Sequence, residues 1–257
     1  MVKLERCGKR GGLFMATIVV VLAIAGLFAS LTTATLGVGG GLLVMPMLAL
    51  FFPARLIIAA TLPMFLANAI VTFWIYRRTF RTRRVLWVLP GIIIGIMGGT
   101  GIVAHLSEEL LRMVIGGVAV FFLLFTVLGG VLLKKQAAFP VWVGVPLSLV
   151  AGVVSTLSNI GGTLLSPYVL SENAPPVYFV GGMSFLYLVM TALKMVTFSL
   201  TGLLHWSEIG MAVPSILTII LGARTGQYLH KKINVRYFRW VVLGVVAVSS
   251  ILLLVSP

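Results

Sequence analysis

Apolar stretches of membrane-spanning length, each with few or no charges, recur along almost all of this 257-residue chain. A hydrocarbon core roughly 30 Å thick needs about 20 apolar residues per helix. Six stretches reach that length, near 14–36, 56–76, 85–105, 110–133, 177–200 and 209–229. Another lies near 236–256, and 140–157 is a shorter candidate. In hydrocarbon the backbone must satisfy its own polar groups, so such segments become helices. The expected fold is an all-α polytopic membrane protein, a multi-pass chain of the cell (inner or plasma) membrane. Composition agrees. Apolar residues make up 60% and charged residues 9%, against about 45–50% and about 25% in a soluble domain.

The same composition removes several chemistries. All five acids are glutamates (Glu5, Glu108, Glu109, Glu172 and Glu208), and aspartate is absent. That argues against carboxylate sites for Mg²⁺ or Ca²⁺, paired-carboxylate hydrolysis and Walker-type phosphoryl transfer. A single cysteine, Cys7, makes neither a disulfide framework nor a Cys-rich metal site. His105, His205 and His230 lie near loops with no HExxH pairing, and a Ser–His–Asp set needs an aspartate. No enzyme, metal or cofactor is expected.

The net charge of +14 is not spread as a nucleic-acid surface would be. Fifteen of the 19 Lys and Arg fall in four clusters: Lys3/Arg6/Lys9/Arg10, Arg77/Arg78/Arg81/Arg83/Arg84, Lys134/Lys135 and Lys231/Lys232/Arg236/Arg239. Each cluster borders apolar stretches, where positive loops are held cytoplasmic. Membrane lipids are thus the expected partners of these charges, and nucleic acid is not. Trp74, Trp87, Trp142, Trp206 and Trp240 sit near segment ends and read as interfacial anchors. The basic start and the apolar run from Leu13 imitate a signal peptide. Because that run continues into a glycine motif that recurs later, it is read as a retained segment.

The recurrence is internal. Gly40-Gly41-Leu42-Leu43-Val44-Met45-Pro46 aligns with Gly161-Gly162-Thr163-Leu164-Leu165-Ser166-Pro167, an offset of 121. Pro90 and Gly98 then match Pro214 and Gly222, and Arg112 and Gly117 match Arg239 and Gly244. Two repeats follow, 1–134 and 135–257. Charge suggests that they are inverted: the basic loop 77–84 corresponds to 201–208, which has no Lys or Arg, whereas 105–111 corresponds to basic 230–239. Each repeat is expected to hold a glycine-broken helix or re-entrant hairpin plus three spanning helices. One feature resists, since inversion places the basic residues Lys3–Arg10 outside.

The glycine segments carry the chemistry. Thr35-Leu36-Gly37-Val38-Gly39-Gly40-Gly41 is no dinucleotide fingerprint, because Leu42 replaces the third glycine and no strand precedes it. Glycine runs let the backbone leave the helix, which is tolerable at membrane depth only when buried or lining a cavity. A half-helix starting at such a break points its positive dipole end there. The expected anion site therefore comprises Gly39, Gly40, Gly41, Gly161 and Gly162, with Pro46 and Pro167 as structural breaks. Close helix packing through small residues is the plainer alternative.

Ser158, Asn159 and Thr163 at the second break join this set, Asn159 being the strongest side-chain candidate. Ser155, Thr156, Thr32, Thr33, Thr35, Asn68, Thr72 and Ser184 are supporting polar groups, although membrane Ser and Thr often bond only their own i−4 carbonyls. Lys194 and Arg224 lie within apolar segments, where a charge is costly and usually faces a cavity. Snorkelling to the interface is the alternative for both.

The first copy, Gly37-Val38-Gly39-Gly40-Gly41-Leu42-Leu43-Val44-Met45-Pro46-Met47-Leu48, resembles the GxGGGxxxxPxL pattern of the TauE/SafE family of sulfite and organosulfonate exporters. The second copy departs from it, keeping only Gly161-Gly162 between Asn159-Ile160 and Thr163. The resemblance covers nearly the whole chain and implies a transporter of sulfur oxyanions or sulfonates.

The expected function is a secondary transporter of a small anion by alternating access. An inside-negative potential of 100 mV drives each negative charge outward by about 2.3 kcal/mol, which favours export without a coupling ion. An anion channel and a scaffolding membrane subunit are the rival readings. The expected partners are the sulfur anion and lipid, with a homodimer left open.

Overall fold

The computed structural model describes residues 8–37, 40–79, 82–132, 140–170, 176–232 and 235–255, and all regular structure among them is helical. The first half contains α1 (Gly8–Leu36), α2 (Gly41–Phe51), α3 (Ala54–Tyr76), α4 (Thr82–Trp87), α5 (Leu89–His105) and α6 (Glu108–Leu132). The second contains α7 (Gly144–Ser158), α8 (Ser166–Leu170), α9 (Pro176–Leu200), α10 (Trp206–Ala212), α11 (Ser215–Lys232) and α12 (Val235–Val255). Among the described residues, six segments are long and apolar enough to cross a membrane: Thr17–Leu36, Ala54–Thr79, Val85–His105, Val141–Ser158, Val177–Leu200 and Glu208–Leu229. The stretches near 110–133 and 236–256 are the helices α6 and α12. All five tryptophans are exposed, between 51% and 87%.

Two helices stop in the interior, each for a readable reason. α1 ends at Leu36, and Gly37 takes the left-handed conformation (φ +68°) that glycine adopts at little cost. α7 ends at Ser158, and Asn159 takes the same conformation (φ 55°), which asparagine tolerates better than most residues. Pro46 and Pro167 are not the breaks. α2 continues through Pro46, and Pro167 is the second residue of α8, where its missing N–H removes no helical hydrogen bond.

Beyond each stop the chain folds back. Leu48 and Phe52 return beside Ile18 and Leu22, where α3 begins with Leu56 and Ile57. Likewise Tyr168 returns to the start of its own segment, its hydroxyl donating to the Val141 carbonyl at 3.4 Å and its ring lying against Gly144. The two folded-back segments flank a central pair, α3 and α9. This pair is antiparallel, for Thr79 beyond the end of α3 donates to the Val177 carbonyl at the start of α9 (3.2 Å).

Small residues set the remaining packing. A Cβ on Gly91 or Gly95 would come within 2.1 Å of Ser148 Oγ or 2.2 Å of the Leu149 carbonyl, so α5 lies directly on α7. On the other side, Gly222 and Gly226 bring α11 onto α1, against Ser30 and Leu31. In lipid such close approach replaces the hydrophobic drive between helices. The match of Gly98 with Gly222 is therefore corrected: Gly98 has no neighbour within 4 Å, whereas Gly95 and Gly99 face α7 as Gly222 and Gly226 face α1.

One half-buried contact ties the first half together. Glu108 accepts from the backbone N–H groups of Ala54 and Arg55, capping α3 from the start of α6. Arg112 lies 3.9 Å from the same carboxylate. A carboxylate at a helix N-terminus also meets the positive dipole end. Loss of such a cap costs about 1–2 kcal/mol. Glu108→Ala is expected to lower the melting temperature of the purified protein, and Glu109→Ala, one position further on, to leave it unchanged. Equal melting of the two variants would remove the cap from the stability of α3.

Candidate functional site

The two stops meet. A Cβ on Gly41, the first residue of α2, would lie 2.2 Å from the Asn159 carbonyl oxygen, which puts the two breaks in backbone contact. Between them and the α3–α9 pair is a cavity of about 30 Å³, room for one or two waters. Gly40 and Gly41 line it at the start of α2, Thr33 on α1, and Ser155 and Asn159 at the end of α7. Asn68 and Phe65 come from α3, and Tyr187, Thr191 and Lys194 from α9.

Lys194 is the centre of the polar network. It is 3% exposed, and its ammonium donates to the Ser155 carbonyl (3.2 Å), Ser155 Oγ (3.1 Å) and Asn159 Oδ1 (2.5 Å). Three donors meet three acceptors, every one of them neutral. Snorkelling is excluded for Lys194, because the side chain points inward at the end of α7. There it also meets a carbonyl of the last turn and the negative dipole end of that helix.

Asn159 joins three elements. Its backbone N–H closes α7 on the Ser155 carbonyl (2.8 Å), and its amide nitrogen donates to the Ile58 carbonyl (3.3 Å) and Thr61 Oγ1 (3.1 Å) of α3. A parallel network holds the first break. Thr33 Oγ1 accepts from the Gly40 N–H (3.0 Å) and from Asn68 Nδ2 (3.2 Å) while donating to the Ala29 carbonyl (2.7 Å). Gly40 and Gly41 thus stand where the first turn of α2 presents N–H groups that lack carbonyl partners within the helix. The positive end of α2 and the Lys194 ammonium converge on one small, buried space.

Other expected residues fall elsewhere. Gly39 lies outside the described residues. Gly161 packs on Ser155 and Ala151, and Gly162 on the Tyr187 ring, so both support the break without lining the cavity. Ser158 and Thr163 bond the Val154 and Ile160 carbonyls nearby, as Thr156 and Ser184 bond those of Gly152 and Val180. Arg224 is exposed on α11 beside exposed Leu221 and Tyr228 and does not reach the cavity. Thr100 of α5 is buried and bonds Thr197 Oγ1 at 3.1 Å.

Thr33, Asn68 and Ser155, supporting groups by sequence, line the cavity together with Phe65, Tyr187 and Thr191, which no sequence motif singles out. The available signal was a polar residue, Asn68 or Thr191, in the middle of an apolar helix.

The cavity joins a buried cation, a helix N-terminus and an amide, the parts that bind an oxyanion. No curated protein and no solved structure matches the chain. The model of one protein family does, along residues 22–253. With six segments able to cross a membrane and this match along nearly its whole length, the chain is a multi-pass integral membrane protein and belongs to the sulfite exporter TauE/SafE family of membrane transporters.

Proposed function

We propose that this protein carries a small sulfur oxyanion or organosulfonate outward by alternating access around the cavity between the two breaks. Lys194 carries the reading. A buried ammonium held only by neutral groups lacks the opposite charge that usually accompanies one. An anionic substrate supplies that charge. The positive end of α2 at Gly41 replaces part of its lost water, and the Asn159 amide orients it. Since the cavity has room for only one or two waters, binding requires α3 and α9 to part around it, which makes a carrier a better reading than an open pore. Export follows from the membrane potential. No glutamate lines the cavity among the described residues, so none stands there to carry a coupling proton.

The packing supports two inverted halves, 1–134 and 135–257. α11 lies on α1 as α5 lies on α7, α11 touches α3 as α5 touches α9, and α3 pairs with α9. Exchanging the halves preserves each contact. The first folded-back segment opens at the end where α3 starts, and the second at the end where α9 starts, which is the opposite one.

Counterflow in proteoliposomes tests the transport reading. Sulfite, taurine, sulfoacetate and sulfate serve as competitors, and saturable, trans-stimulated flux is expected. Conductance at single-channel rates would replace the carrier by a channel. Full flux in Asn159→Ala would detach the break from transport. For the topology, Arg81→Cys and Lys232→Cys on a Cys7→Ser background are expected to label from the same, cytoplasmic side. Labelling of the two positions from opposite sides removes the inversion.

A further inference from the structure

We propose, building on the transport reading above, that the site takes anions carrying one negative charge and turns away those carrying two. Lys194 is the one charged side chain lining the cavity among the described residues. Two helix ends also act there, with opposite signs: the N-terminus of α2 at Gly41 and the C-terminus of α7 at Asn159. Each carries about half an elementary charge, positive and negative respectively, so their contributions largely cancel where the two ends touch. What is left for a ligand is the single positive charge of the ammonium.

Burial turns this count into selectivity. Lys194 is 3% exposed, and Ser155, Thr33 and Asn68 around it are 4% or less. Water and salt therefore screen little of an uncompensated charge in this space. A monoanion leaves the site neutral, whereas a dianion leaves one negative charge buried without a partner, the costly arrangement. Arg224, the other cation embedded in a membrane segment, is exposed and cannot offer a second positive charge. Phe65, Ala69 and Met190 also line the cavity, an apolar surface suited to the organic end of a monoanion and unsuited to a second charged head.

Size and charge must be separated, so the test uses pairs in which the singly charged member is the larger. Methyl sulfate is compared with sulfate, and sulfoacetate methyl ester with sulfoacetate. Each is titrated against the purified full-length protein by thermal stabilisation and then used as a competitor in counterflow. The esters are expected to bind at least tenfold more tightly than the smaller dianions in both assays. Equal or tighter binding of sulfate and sulfoacetate overturns the single-charge selection and leaves the transport reading standing. Failure of all four compounds to bind or compete overturns both.

Discussion

Lys194→Gln is expected to lower anion flux at least a hundredfold while the protein stays folded in the membrane. Glutamine retains an NH₂ donor for Ser155 or Asn159 Oδ1 but carries no charge, so it removes the ion pair that forms only when an anion is bound. A hundredfold loss corresponds to about 2.7 kcal/mol. That lies just below the roughly 3–5 kcal/mol lost when one partner of a buried ion pair is removed. A purely structural role makes a different forecast. If Lys194 serves only to cap α7 at the Ser155 carbonyl, the variant melts earlier and transports at the normal rate. Flux and melting temperature measured together therefore separate the two roles. Lys194→Arg keeps the charge but must fit a larger planar group into a cavity of about 30 Å³, so only partial recovery is expected.

Lys194 and Arg224 also mark where sequence reading runs out. Both are cations inside apolar segments, and nothing local distinguishes them. One turns out to be 3% exposed at the cavity and the other faces outward. The choice depends on rotation about the helix axis, and a helix apolar on all sides has no polar face to fix that rotation. Segment length was legible because hydrocarbon thickness dictates it, and the stops were legible because glycine and asparagine tolerate the left-handed turn. The short helices α4 and α10 carry no such mark.

Partner choice among hydroxyls was hidden for another reason. Ser158 and Thr33 look equivalent, and both bond a carbonyl on their own helix; only Thr33 also reaches across to Gly40 and Asn68. The glycine motif leads to the cavity but not to the reason for its glycines. Gly40 has ordinary helical angles (φ −58°, ψ −16°), and its Cβ would fall 2.3 Å from Ala29 Cα, so space and not backbone freedom is what the position requires.

The same distinction yields the second large effect. Gly41→Ala is expected to abolish measurable counterflow, because the new methyl would sit 2.2 Å from the Asn159 carbonyl, a backbone atom that cannot swing aside. Relief requires the two breaks to separate, which displaces Asn159 from Lys194 and from Thr61 together. Overpacking of this kind costs about 1–3 kcal/mol in a well-packed core, so the protein is expected to fold and to melt earlier. Gly161→Ala should behave alike, with Ser155 N at 2.1 Å and the Ala151 carbonyl at 2.3 Å. Gly98→Ala supplies the contrast. It lies in the interior of α5 with no neighbour within 4 Å, and alanine is the better helix former, so its flux should equal that of the parent. Both assays are read on protein that elutes as a single folded species in detergent. Normal flux in Gly41→Ala would mean that the tips of the two broken segments move apart freely, and the contact between them would lose its place in transport.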